Sequence, residues 1–257
     1  MSRKRIALSL TAVALLGSAT LAAAHETWLL PSSMRVPVGR TVALSLTSGM
    51  TFPSDQLPIA PERVVRGEVR LRNEIERLRR PRSAPKALRY VWTPRAPGVA
   101  TISIALAPRS LELEPKLVKE YLDEIHASPA TLAQWDSIPA PRRWRESYTK
   151  NATSYVRVGG ARPDSSWMSP VGLDLEILPE GNPTSITAGA TLPVRVLRNG
   201  SPLAGFSINA RHEGRSTSAF VTTDASGRAA VPLPTAGRWL LFGTDLRRAH
   251  EPDLEWR

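Results

Sequence analysis

Four histidines, His25, His126, His212 and His250, and a complete lack of cysteine set what chemistry the chain can do. Thiolate metal sites, thiol nucleophiles and disulfides are excluded, which leaves imidazole, amine and carboxylate as donors to a metal ion. No two histidines stand at the spacing of H-x-H or H-E-x-x-H, so a metal site has to be assembled from distant parts of the chain. His25 differs from the others in what precedes it. Arg3, Lys4 and Arg5 are followed by an almost wholly apolar run ending in Ala22-Ala23-Ala24, the pattern of a secretory signal peptide with a small-residue cleavage site. Cleavage after Ala24 would leave His25 first, where its α-amino group and its imidazole Nδ1 can close a chelate ring on one ion. That donor pair suits copper, nickel or zinc.

One more donor would complete a usable site, and His212 or His250 is the expected source, with His126 and the carboxylate of Glu26 as further candidates. Each has a plainer reading. His212, in RHEGR, is a strand-end residue; His250, in RRAHEPD, a loop residue; and His126 ends a helical pattern, where the helix dipole favours a cation. A terminal histidine can also be exposed and without a role. The run ETWLLP argues against a frayed terminus, because Trp28, Leu29 and Leu30 have the character of residues that pin a first strand.

Enzymatic templates are poorly matched, and the chain is expected to be non-catalytic. There is no G-x-S-x-G elbow and no glycine-rich phosphate loop. The pairs Glu112/Glu114 and Asp123/Glu124 read as solvated carboxylates on a charged face, and Asp224 as a turn former. An oxygenase built on a terminal histidine would need a second histidine close to His25. Of the seven tryptophans, Trp135, Trp144 and Trp167 stand in polar segments and offer a sugar-stacking surface, which defines an alternative reading: an envelope module that binds a glycan or a protein.

These residues must be positioned by a chain that is rich in proline, with 23, and has a formal net charge of +11. Three of those charges leave with the signal peptide, and the mature protein stays basic. For an exported chain, basicity points to anionic envelope components or to solubility, and no nucleic-acid partner is expected. No later stretch approaches the roughly twenty apolar residues of a membrane span. The expected location is therefore the periplasm, with no membrane crossing after processing.

Closely spaced prolines forbid long helices, and short alternating or apolar runs point to antiparallel strands: Thr41 to Leu46, Leu88 to Thr93, Val99 to Leu106, Leu173 to Leu178, Leu192 to Leu197, Phe206 to Ala210, Ala229 to Leu233 and Trp239 to Phe242. The fold class is mainly β, with two β-sandwich domains. Leu117, Val118, Tyr121, Leu122 and Ile125 fall at helical spacing, and a second helical piece is placed around Arg142 to Thr153, so a helical insertion of about 111–153 is expected in the first domain. The segment from Arg63 to Arg80 is too charged and too weakly periodic to assign. PEGNPTSITAG is the clearest boundary, giving a signal peptide 1–24, a first domain 25–178 and a second domain 179–257 with tight turns at Asn199-Gly200 and Asp224 to Gly227.

The order HETWLLP, SLELEPKLVKEYLDEI, RESYTKNATSYVRVGG, GLDLEILPEGNP, NGSPLAG, TTDASGRAAVPL and AGRWLL resembles an exported bacterial family of unknown function that is associated with nickel and cobalt uptake. The resemblance covers nearly the whole mature chain. Its specific parts are an H-[DE]-x-W opening, an E-x-Y-x-K-x-A core at Glu146, Tyr148, Lys150 and Ala152, and an L-E-I-x-P-x-x-N-P segment at Leu175, Glu176, Ile177, Pro179, Asn182 and Pro183. It departs at LDEIHAS, where the family pattern carries a glycine that is absent here. The resemblance implies a second domain like transthyretin or carboxypeptidase-regulatory modules (an Ig-like or transthyretin-like sandwich), a family histidine at His25, and metal-permease components as partners. The implied cofactor is a divalent transition metal, nickel or cobalt, with copper as a further candidate.

Overall fold

The computed structural model describes residues 25–160, 164–215, 219–251 and 254–257, without the side chains of residues 250, 251 and 254. The signal-peptide assignment to residues 1–24 lies outside them. The protein is mainly β, built as sandwiches of sheets that are antiparallel except where β2 (Arg35–Val36) joins β12 (Asn151–Val158) in parallel. In the first sandwich one sheet runs β1 (Glu26–Pro31), β3 (Val42–Gly49), β8 (Ala87–Trp92), β7 (Arg82–Ala84), with β4 (Leu57–Pro58) also on β3. The facing sheet runs β2 (Arg35–Val36), β12 (Asn151–Val158), β9 (Gly98–Leu106), β5 (Val64–Leu71), β6 (Glu74–Arg77). Alternation along β3 and β9 turns Leu44, Leu46, Ile102 and Ile104 inward, and all four are fully buried. The stretch from Arg63 to Arg80 supplies the β5–β6 hairpin. Every residue of β6 is exposed, so no hydrophobic period marks it in the sequence.

β1 pairs only with β3 along its ladder, and its outer edge would present unpaired backbone carbonyls. Side chains from the facing sheet cover that edge. Ser154 Oγ on β12 donates to the Leu29 carbonyl, and Lys150 Nζ in the turn before β12 donates to the His25 carbonyl, tying the first residue of the described chain to the turn that follows the insertion.

The insertion is a third layer. β10 (Arg109–Leu113) pairs antiparallel with β11 (Trp144–Tyr148), and between them run α1 (Pro115–Glu124) and α2 (Pro129–Asp136). The helix expected at Arg142 to Thr153 is instead β11, a turn and the first residues of β12. In WRESY the buried positions are Trp144 and Glu146, a period of two with a polar residue on the inward side, which disguises a strand. The second helix lies earlier. Ser128 caps it by accepting from Thr131 N at 3.2 Å, and Pro129 occupies its first turn. Apolar packing comes from Val118, Tyr121 and Leu122 of α1 and Trp135 of α2 against Trp144.

The second sandwich pairs β13 (Leu175–Pro179), β14 (Ala190–Arg198), β15 (Ser201–Pro202) and β18 (Arg228–Leu233) in one sheet, and β17 (Ala219–Thr222), β16 (Ser207–His212) and β19 (Trp239–Phe242) in the other. The boundary expected at residue 179 lies earlier, because β13 forms its ladder with β14, Leu175 opposite Arg198, and so belongs to the second sandwich. Asn199 and Gly200, with φ of 49° and 78°, make the tight turn into β15. Nor does the chain end in this sandwich. β20 (Arg248–Glu251) and β21 (Leu254–Trp256) return to the insertion, where β21 runs parallel to β11 with Trp256 opposite Glu146. Among the described residues no helix is long and apolar enough to cross a membrane.

Candidate functional site

The segment joining the two sandwiches is held from both sides. Arg70 donates to the carbonyls of Ser169 and Pro170 at 3.0 and 2.9 Å, and Arg66 to that of Gly172 at 2.6 Å. The buried carboxylate of Glu176 accepts from the amides of Val171, Gly172 and Leu173 at 2.8, 2.8 and 3.0 Å. Cations thus take the carbonyls of the connection and an anion takes its amides, both strong charge-assisted arrangements. A second tie crosses the junction directly: Glu26, at the start of β1, is 2.8 Å from Arg211 on β16, and both side chains are nearly buried. Arg211 also donates to the Met50 carbonyl and lies over the Phe242 ring.

These ties enclose a cavity of about 890 Å³ where the two sandwiches and the insertion meet. Its wall includes His25, Glu26, Tyr121, Glu146, Tyr148 and Lys150. The E-x-Y-x-K motif supplies three of these, from the end of β11 and the turn into β12. Glu146 is buried and accepts from Tyr121 Oη and Trp144 Nε1, each at 3.0 Å. Burial raises its carboxyl pKa, against the opposing pull of those two donors and Lys150. The same burial, reinforced by the Glu146 charge, holds the Tyr121 hydroxyl well above its usual value.

Lys150 is the most perturbed cation of the site. Burial, reinforced by Arg63, lowers its pKa from 10.5 to about 8, while Glu26 and Glu146 pull the other way. Below about pH 8 the amine is charged in folded and unfolded chains alike and the folded state carries the cost of burying it. Above about 10.5 both forms are neutral and that cost is gone. Stability relative to Lys150→Met should therefore rise by roughly 3 kcal/mol between those limits. Urea midpoints of the two proteins, measured side by side across this range, check it, and parallel curves would contradict it.

A family model described as Domain of unknown function (DUF4198) matches residues 22–242. The chain belongs to that family. No curated protein matches it. Similar solved structures include a DUF4785 family protein from Legionella pneumophila, at 8% identity over 84% of this chain and 46% of that one, with a TM-score of 0.27. Another is the Yersinia pseudotuberculosis adhesin InvE, at 13% identity over 82% and 52%, with a TM-score of 0.25. The D0-D1 domain of intimin matches at 10% identity over 84% and 97%, with a TM-score of 0.22. The chain spans about half the length of the first two.

Within this DUF4198 chain the expected metal donors whose side chains are described do not gather. His25 lines the cavity, half-buried. Glu26 is committed to Arg211. His212 follows Arg211 on β16, so it points to the opposite face. Its Nε2 sits 2.8 Å from the Ala236 carbonyl and its ring lies edge-on to Trp239. His126 stacks on Phe220, 4.4 Å between ring centres. The side chain of His250 lies outside the described ones. Among the described residues no three His, Asp or Glu side chains are gathered to hold a metal. The sugar-stacking surface is also corrected: Trp135, Trp144 and Trp167 are all buried, the first two in the core of the insertion. Sequence reasoning quoted Lys150, Glu146 and Glu176 as motif residues without giving them a task. The signal available was a lone acidic residue inside a strand-like run, Glu146 in WRESY and Glu176 in LEILP.

Proposed function

We propose that the mature protein is an exported, non-catalytic carrier that binds a divalent transition metal at His25 and serves a metal permease in the periplasm. Nickel or cobalt is the favoured ion, with copper as the other candidate. The observation that supports this reading is the placement of His25, the one histidine among the described residues in the wall of the interdomain cavity. Its α-amino group, once freed, and its imidazole would supply two nitrogens. With Glu26 and His212 engaged elsewhere, the described side chains contribute that pair and leave the other coordination positions open. An open set of positions suits an ion that is handed on, whereas structural metal sites are closed by four protein ligands.

Protein beginning at His25, titrated calorimetrically with nickel, cobalt and copper beside a form carrying one extra N-terminal alanine, tests the reading. The authentic terminus should bind at least about tenfold more tightly, since the added residue removes the amine–imidazole chelate. Affinity should fall as the pH drops, because binding displaces protons from both nitrogens. Equal, weak binding by the two forms would overturn it.

A further inference from the structure

We propose that the interdomain cavity binds a small organic monocarboxylate, with the Lys150 ammonium as its counter-ion. A single transition-metal ion needs a small fraction of a cavity of about 890 Å³, whereas that volume lies within the ordinary range for sites that enclose organic ligands. Walls contributed by three separate parts of the chain, held together by the Glu176 clamp and the Glu26–Arg211 pair, form such a pocket before any ligand arrives.

The charge arrangement selects the ligand class. An ammonium has three N–H donors, and among the described residues Lys150 gives one to the His25 carbonyl. The two carboxylates that act on it electrostatically are already engaged, Glu26 with Arg211 and Glu146 with Tyr121 and Trp144. Of the other cations of the wall, Arg198 and Arg247 pair with Asp245, Arg238 pairs with Glu213, and Arg35 donates to the Thr184 carbonyl. Lys150 therefore keeps spare donors and a charge without a dedicated acid, in a place where an uncompensated charge is costly. One ammonium balances one negative charge. A doubly charged phosphate would leave a net charge buried beside that one ammonium. The apolar part of the wall, with Trp28, Ile125 and the Tyr148 ring 5.5 Å from the Lys150 nitrogen, fits a ligand with an apolar body.

This site does not depend on the metal reading, and it is tested without metal. Chelator-treated mature protein is titrated calorimetrically at neutral pH with acetate, butyrate and benzoate, and with benzyl alcohol and inorganic phosphate as contrasts. Affinity should rise with the apolar body, benzoate reaching a Kd of about 1 mM or tighter. It should drop at least about tenfold in Lys150→Met and be largely restored in Lys150→Arg, with thermal unfolding confirming that each variant is folded. Should Lys150→Met fail to fold, the wild-type ranking alone decides: benzoate must exceed both contrasts. Phosphate or benzyl alcohol binding as well as benzoate, or undiminished benzoate binding by folded Lys150→Met, would overturn the proposal. So would no detectable binding of any carboxylate. Because the extra-alanine form keeps Lys150, it should bind benzoate normally even where it has lost the metal, which separates failure of one site from failure of the other.

Discussion

Trp256→Ala should lose about 3–5 kcal/mol of folding stability, the range for deleting a large buried aromatic side chain. Trp256 is fully buried and stacks on Trp144 with ring centres 4.6 Å apart and planes 13° from parallel. On its other sides Trp144 meets Trp135 and Tyr121 edge-on at 5.5 and 5.6 Å, so four aromatic rings share one cluster. Removing Trp256 uncovers the face of Trp144 and takes away the packing that seats β21 beside Glu146. Urea denaturation should show the loss, and near-ultraviolet circular dichroism should lose the signal of the stacked indole pair. Trp256→Phe keeps a ring against Trp144 and should lose less than half as much. An alanine variant within about 1 kcal/mol of wild type would mean that this strand is not docked. A functional consequence follows, because β11 carries Glu146 and leads into Lys150: loosening the insertion should weaken whatever binds beside His25.

Glu176→Ala should be comparably damaging, at about 4 kcal/mol. Three amides of the inter-sandwich segment lose a charged acceptor at once, each such bond being worth roughly 1.5–3 kcal/mol, and the buried Leu173 amide is left without a partner. Glu176→Gln retains one carbonyl oxygen and should lose about half as much. Thermal unfolding ranks the variants, and small-angle scattering should show the alanine form expanding as the sandwiches come apart. Matched, small losses for both substitutions would show that the carboxylate is not what holds the connection.

Much of the fold was legible in local pattern. The inward alternation of β3 and β9, the buried face of α1, and the Asn-Gly turn all announce themselves because one period or one dipeptide suffices to specify them. Failures came where the inward residue is polar or where no residue is inward. Glu146 facing into the insertion broke the strand pattern of β11, and the wholly exposed β6 had none to show. Motif spacing had the same limit: it marked Glu146, Tyr148 and Lys150 as a unit but carried no information about what they face.

From composition and order alone come the absence of thiol chemistry, the mainly β architecture, and the expectation of a histidine at a new N-terminus. Only the folded chain shows that Glu26 meets Arg211 across 185 positions, that His212 turns away from His25, and that the final tryptophan completes the insertion's core. The reason is physical. Period and propensity are properties of neighbours in sequence, whereas which charges are paired, which are buried without a partner and which cavity they border are decided by contacts between distant segments, each settled only when whole layers pack.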